Sequence, residues 1–356
     1  MEEQTTQNQI CSLLCGAEGF NDMEDFGKAK EPWFRQFLKL PNGIPSHDTF
    51  NRVFAALDPQ AFLECFLRWT QSLRQAVDLE IVAMDGKALR AALDRGEPLK
   101  YVVSAWASSN RLVLGQLKVS EKSNEITAVP ELLRALDLAG CIVTLDAMGC
   151  QKKIAKEIIE SDADYVLALK GNQETVHEEV KAFLDQAIID TALAASGHRF
   201  PAPLPGLEYT ERVEKNGGRI ETRRYWHTGA IEWFADREEW EGLTSVGVVE
   251  SVREIAGEVS VERRYYLSSL NPDAECFARA VREHWGVENQ LHWVLDVQMG
   301  EDESRARAGH APENLATLRR LALNLLRRDK TKKRGIHGKQ LNAAWDHQYL
   351  LHLLSS

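Results

Sequence analysis

The sequence predicts an α/β protein: a mixed sheet flanked by helices, interrupted by a β-rich insertion and preceded by a small helical domain. Three observations predict it. Residues 1–75 carry apolar side chains at spacings of three and four. Residues 79–169 alternate short apolar runs with helical patterns. After Asn172, β-branched runs return before a helical stretch at Val281. The expected division is 1–75 helical, 76–172 first part of the core, 173–268 insertion, 269–328 second part of the core, and 329–356 basic tail with a short helix.

In the helical region, Trp33–Leu38 and Phe50–Leu57 show the amphipathic spacing. Pro41-Asn42-Gly43-Ile44-Pro45 is a turn, Ser46 suits the N-cap of the next helix, and Asp58-Pro59 closes it. A further helix is expected over Gln60–Arg74. Short helices with tight turns suit a DNA-reading module and any other small bundle equally. The first core strand is Leu79–Asp85, and Tyr101–Ala107 and Leu112–Val119 form a pair across the turn Ser108-Ser109-Asn110. A helix follows over Glu125–Leu138, with Gly140 as its C-cap. The fourth strand, Cys141–Asp146, leads through Gly149 into a helix over Gln151–Glu160. Tyr165–Leu169 is the fifth strand, stopped by Lys170-Gly171-Asn172. Three strands followed by alternating helix and strand is the ribonuclease H-like order, in which the first and fourth strands are neighbours. The segment after Asn172 is too long to be structureless and should fold by itself. Arg219–Trp226, Ser245–Val252 and Glu262–Leu267 are its strands, and Pro201–Gly206 is a loop.

A chain of 356 residues with 44% hydrophobic content is long enough for two or three domains. No stretch approaches the roughly 20 apolar residues that span a bilayer. Met1-Glu2-Glu3-Gln4-Thr5-Thr6 lacks the basic and apolar regions of a secretory signal, so a cytoplasmic protein with no membrane partner is expected. The six cysteines complete no zinc motif and are expected buried and reduced. A net charge of −10 argues against nonspecific coating of nucleic acid. Arg319–Lys339 nevertheless holds nine Lys or Arg against one Asp. By itself that stretch reads better as a solvated, partly frayed segment than as a DNA contact.

Asp85 and Asp146 stand 61 positions apart, yet both end apolar runs whose strands are expected to be adjacent. Ligand sites in open α/β sheets favour that edge. A strand-end Asp is also an ordinary turn former or cap. Glu288 interrupts a stripe of Val281, Trp285, His292 and Leu295 on one helix, where an apolar residue is expected. It is either a border glutamate near Arg282 or a metal ligand aimed at the sheet edge. Converging carboxylates repel and lose hydration unless a divalent cation joins them. Such a set builds a magnesium site for phosphoryl transfer. His284 and His292 flank Glu288 at four residues on either side, with Asp296 beyond; they could bind phosphate, pack against Trp285 and Trp293, or hold zinc, although the HExxH order is absent. Lys87, Lys170 and Asn172 follow strands and are candidate DNA contacts, or else solvated loop residues. Alternation puts Arg219 and Arg223 on one strand face, as DNA contacts or as a solvated surface.

These residues fall in stretches that resemble the H-repeat-associated insertion-sequence transposases of the DDE superfamily over nearly the whole chain. The stretches are Leu40–Phe50, Met84-Asp85-Gly86-Lys87, Glu121–Ile126, Thr144–Gln151, Leu169–Gln173 and His284–Val297. The resemblance implies a ribonuclease H-like core with a β-rich insertion, Asp85, Asp146 and Glu288 as the catalytic and metal-binding triad, and a helical N-terminal domain that helps bind DNA. It implies two Mg²⁺ ions, replaceable by Mn²⁺, and Mg-dependent strand cleavage followed by strand transfer. It implies element ends and target DNA as partners, a homodimer on DNA, and a bacterial, nucleoid-associated location. Related transposases carry a Tyr-Arg-Glu-Lys pattern around the glutamate; here Val281, His284 and Leu295 stand at the other three positions. Family members carry a longer N-terminal helical region, so a shortened N-terminal domain is expected. The alternatives are a nuclease that cuts without joining, a repurposed transposase that only binds DNA and, last, a zinc hydrolase using the two histidines.

Overall fold

A computed structural model of the chain describes residues 2–75, 77, 79–89, 100–119, 125–197 and 202–355. The matching stretch Glu121–Ile126 lies outside them as far as Asn124, as does Pro201 of the expected loop. Four helices open the chain: α1 (Glu2–Leu14), α2 (Phe20–Phe34), α3 (His47–Ala56) and α4 (Pro59–Leu73). Ser46 caps α3, accepting from the Thr49 amide. Asp58 caps α4, accepting from the Gln60 and Ala61 amides, and Pro59 fills the first turn where no N–H is needed.

The elements that follow are β1 (Ile81–Leu89), β2 (Lys100–Ala107), β3 (Leu112–Val119), α5 (Glu125–Ala135), β4 (Ile142–Leu145), α6 (Lys152–Glu160), β5 (Asp164–Leu169) and α7 (Glu174–Ala195). Then come β6 (Glu208–Asn216), β7 (Arg219–Thr228), β8 (Ser245–Ile255), β9 (Glu258–Ser268) and α8 (Ala274–His284). A π-helical turn, Val287–His292, leads into α9 (Trp293–Met299), and α10 (Ala311–Arg328), α11 (Ile336–Trp345) and α12 (His347–Ser355) end the chain. Three departures from expectation stand out. Strand β1 continues four residues past Asp85, because it has β2 as its neighbour on the other side. Helix α5 stops at Ala135, and Gly140 (φ +71°) instead turns the chain into β4. Helix α7 and strand β6 are additional elements.

The chain divides into two compact units. The first comprises 1–76, 85–124 and 286–356; the second comprises 77–84 and 125–285. Strand β1 runs through both.

In the first unit β2 and β3 pair antiparallel, and α10 is the central helix. The Asn324 amide accepts from Val113 N and donates to Val113 O, each at 2.9 Å. Asn314 Nδ2 donates to the carbonyls of Phe54 and Leu57, ending α3 on α10. Such buried amide bridges fix register, because a one-residue slip would strand both groups. Arg319 and Arg320 are fully buried, and Arg319 donates to Glu18 O at 2.6 Å. The basic stretch is therefore not a frayed solvated segment: its first two arginines hold the interior of this unit, and α11 and α12 follow. Of the cysteines, Cys11, Cys141 and Cys150 are buried as expected, while Cys65 is exposed; all six are free thiols.

In the second unit the strand order is β1-β4-β5-β9-β8-β7-β6. Strands β1, β4 and β5 are parallel, with Ile81 opposite Ile142 and Met84 opposite Leu145. The all-apolar run Ile81–Met84 is buried throughout, as an interior parallel strand requires. Strand β9 adds antiparallel to β5, so the strands of residues 208–268 extend this sheet instead of closing on themselves. Helix α8 packs on the sheet through Phe277, whose ring passes so close to Gly247 that a Cβ there would lie 2.6 Å from it. The imidazole of His227 stacks on Phe277, with ring centroids 4.8 Å apart. His227 Nδ1 accepts from the Asp273 amide at 3.1 Å, which leaves Nε2 protonated beside Ser245 Oγ at 2.8 Å.

Burial pulls the His227 pKa down to about 4, so the folded protein keeps it neutral where the unfolded chain, near 6.5, takes a proton. Stability contributed by this residue is expected to be intact above pH 6.5 and to be lost progressively as pH falls toward 4, by about 3 kcal/mol. Urea midpoints between pH 4 and 8 check this: His227→Gln should flatten that part of the profile.

Candidate active site

The second unit carries Asp146. It follows Leu145, the last β4 residue paired with β1, and caps a short 3₁₀ turn, Ala147–Gly149. Its Oδ1 accepts from the amides of Met148 (3.0 Å) and Gly149 (3.4 Å), and the side chain remains exposed. Glycine is required at 149 by space: a Cβ there would lie 2.8 Å from the Leu145 side chain. Asn172 Nδ2 donates to Ala147 O at 2.6 Å and Gln173 Nε2 to Cys150 O at 3.1 Å, so the segment after β5 pins the turn that presents Asp146. Asn172 thus has a structural partner where a DNA contact was expected.

His284, at the end of α8, lies 2.9 Å from Thr144 Oγ1 through Nδ1. Burial pulls its pKa down to about 4 despite Asp146, so near neutrality it carries no charge for a phosphate. Lys170 is exposed, as expected. Arg219 and Arg223 do share a face of β7, and both are paired with Glu221; Arg223 also meets Glu214 at 3.0 Å. These pairs occupy the guanidinium groups expected to face DNA.

The first unit carries Asp85 and Glu288. Asp85 is partly buried on β1, with His292 Nδ1 3.4 Å from its Oδ2. Burial, reinforced by Arg320 and Lys87, pulls the His292 pKa down to about 3, so this contact is to a neutral ring. Lys87 is buried and not on a DNA-facing loop: its ammonium lies 2.5 Å from Asp296, 3.0 Å from Glu301 and 3.1 Å from Asp302. Burial opposes that charge, yet Glu301 and Asp296 hold the Lys87 pKa above the ordinary lysine value. Glu301, itself buried, takes Arg320 on its other oxygen at 2.7 Å. Burial disfavours its charge, but Arg320 and Lys87 outweigh that and pull its pKa to about 2.

Glu288 does not continue one α-helical stripe. Helix α8 ends at His284, and the π turn places Val287 and Leu291 inward while Glu288 is exposed. Spacings of three and four assume α-helical turns; one wider turn rotates every later position. The turn is held from α10. Arg327 donates to Gln290 O, and its guanidinium carbon lies 4.4 Å from the centroid of the buried Trp106 ring. Burial next to Arg111 lowers the Arg327 pKa to about 9. Trp106 also explains Gly286, where a Cβ would lie 3.2 Å from the indole nitrogen. Among the described residues no group of three His, Cys, Asp or Glu is arranged to hold a metal ion. Sequence reasoning missed Glu301, Asp302, Arg320 and Arg327; the acidic run Glu301-Asp302-Glu303 was the available signal.

The family described as Transposase DDE domain matches residues 78–325, and the one described as DDE_Tnp_1-associated matches residues 8–70. A relative from Escherichia coli (strain K12), "H repeat-associated putative transposase YhhI", is 40% identical over 358 residues, covering 97% of this chain and 90% of that protein. The chain belongs to the H-repeat-associated family of DDE transposases. A second family member, "Putative transposase YncI" of Escherichia coli O157:H7, is 40% identical over 98% of this chain and 87% of its own length. An uncharacterized protein from the dhlA 3′ region of Xanthobacter autotrophicus is 42% identical over 74% of this chain and 85% of its own length. Among solved structures, a piggyBac transposase synaptic complex with hairpin DNA has a TM-score of 0.48 at 12% identity, covering 100% of this chain and 73% of that one. Among the described residues no helix is long and apolar enough to cross a membrane.

The exposed turn that carries Glu288 depends on Arg327. Arg327→Gln is expected to lower stability by about 2 kcal/mol in urea titrations, through loss of the ring contact and the charged hydrogen bond. Amide exchange over residues 287–292 should accelerate in the same variant.

Proposed function

We propose that this chain is an insertion-sequence transposase that cleaves and joins DNA strands by divalent-metal-dependent phosphoryl transfer, with Asp85, Asp146 and Glu288 as its catalytic carboxylates. The observation that carries the reading is the parallel pairing of β1 with β4. Its last pair is Met84 with Leu145, and the residue that follows each of them in the chain is an aspartate. Family membership supports the same reading, and so does the exposure of Glu288 and Asp146.

The donor set fits magnesium in kind. Carboxylate oxygens are its preferred protein ligands, whereas His284 and His292 are partly buried, held neutral near pH 7, and belong to the packing. When bound, such ions lower the pKa of an attacking water or 3′-hydroxyl and stabilise the leaving oxygen. The chain's own contribution is orientation. Two backbone amides leave the second Asp146 oxygen free to turn outward, and His292 steadies Asp85 without adding charge. The π turn sets Glu288 away from the apolar residues on either side of it. No serine or tyrosine nucleophile is required. Residues 1–75 serve DNA binding, residues 173–268 form an insertion in a ribonuclease H-like core, and two copies act together on paired element ends. Lys170 remains the candidate phosphate contact of those named, with Arg219 and Arg223 available only by exchanging their glutamate partners.

The test uses duplexes bearing the inverted repeats that flank the coding region. Asp85→Asn, Asp146→Asn and Glu288→Gln should each slow Mg²⁺-dependent cleavage on the order of a thousandfold while gel-shift affinity stays within about twofold. Wild-type cleavage by any of the three would remove that residue from the site. Chelation should abolish cleavage, and Mg²⁺ or Mn²⁺ should restore it. Cleavage without joined product would mark a nuclease.

A further inference from the structure

Two contacts in the first unit form a ladder between β1 and the helix downstream of Glu288. Asp85 faces His292, and Lys87 faces Asp296. The rungs are two residues apart on the strand and four apart on the helix. Two strand residues advance about 7 Å and four helical residues about 6 Å, so the rungs match in spacing. A slip of one residue on either element would break both.

The second rung is set in a larger cluster. Lys87 also holds Glu301 and Asp302, which follow the Gly300 turn (φ +58°) at the end of α9, and Arg320 of α10 holds the other Glu301 oxygen. Three carboxylates share two cations. With Lys87 removed, Asp296, Glu301 and Asp302 would share Arg320 alone, and their repulsion would push α9 away from β1. A lysine on an exposed loop gives phosphate affinity; this one is 8% exposed, donates to Glu301 and Asp302, and is ion-paired with Asp296.

We propose that Lys87 is a positioning residue of the reaction centre: by fixing α9 against β1 it sets the height of Glu288 relative to Asp85. The inference rests on the assignment of those two carboxylates above. It makes a prediction opposite in sign to simple electrostatics. Deleting a cation near a carboxylate raises the local negative potential and should tighten a bound divalent ion. Loss of positioning should weaken it.

The experiment is Mn²⁺ binding to the DNA-free full chain, followed by electron paramagnetic resonance, with cleavage kinetics and DNA affinity against salt measured in parallel. Lys87→Met is expected to weaken Mn²⁺ at least about tenfold, the cost typical of groups that orient metal ligands. It should lower kcat, leave KM for DNA unchanged, and leave the salt dependence of DNA binding as in the wild type. Should that variant fail to fold, the double variant Lys87→Met, Asp296→Asn removes the rung without changing net charge, and the same weakening is expected. Unchanged or tighter Mn²⁺ binding in whichever folded variant is measured would overturn the proposal. So would a fall in DNA affinity with a salt slope reduced by about one, the mark of a lost phosphate contact. Asp85→Asn separates the two levels: if it keeps Mn²⁺ and cleavage, the carboxylate assignment fails. If it loses both while the Lys87 variants bind normally, only the positioning role fails.

Discussion

Parallel pairing between β1 and β4 is the constraint on which the rest of the molecule depends. A parallel strand pair satisfies its backbone only through a long crossover, and here β2, β3 and α5 lie in that crossover. The pairing stops at Met84 and Leu145, and both strands then change character. Beyond Met84 the chain carries Asp85 and Lys87 instead of a continuous apolar run. Beyond Leu145 it bends into a capped 3₁₀ turn. Apolar pairing thus ends where charged side chains begin, which keeps charge out of the sheet interior.

Charge elsewhere follows the same logic. Glu211, Arg224, Glu250, Arg263 and Asp185 form a chain of contacts across β6, β7, β8, β9 and α7, and Glu221 gathers Arg219, Arg223 and Arg253 on the other face. Arginines here meet glutamates of the same sheet. Exposed pairs of this kind contribute little stability one by one, but cross-strand networks specify which residues lie opposite one another. These arginines therefore find their counter-charges within the β-rich segment and α7.

Much of the fold was legible in the sequence because apolar periodicity and cap chemistry are local. Ser46, Asp58 and the runs Ile81–Met84 and Ile142–Leu145 announce elements that form as expected. Helix α7 was not legible, since its apolar residues are buried on only part of its length and no cap marks its start. Candidate site residues could be named from the sequence by type and by position along the chain, but not by their surroundings. Lys87 reads as a loop lysine until Glu301 and Asp302, more than 200 positions away, are seen beside it. The basic stretch reads as solvated because a one-dimensional pattern cannot reveal that Arg319 and Arg320 face a carbonyl and a carboxylate inside the fold.

The π turn has a consequence for how such a protein decays. Deleting a single residue between Gly286 and His292 would let the segment relax to ordinary α-helix, the more stable local geometry. Core packing on either side would survive, while the glutamate would swing around the helix axis by about 100°. If Glu288 serves as proposed, one codon lost in this stretch would take it out of place with no substitution at any acidic position.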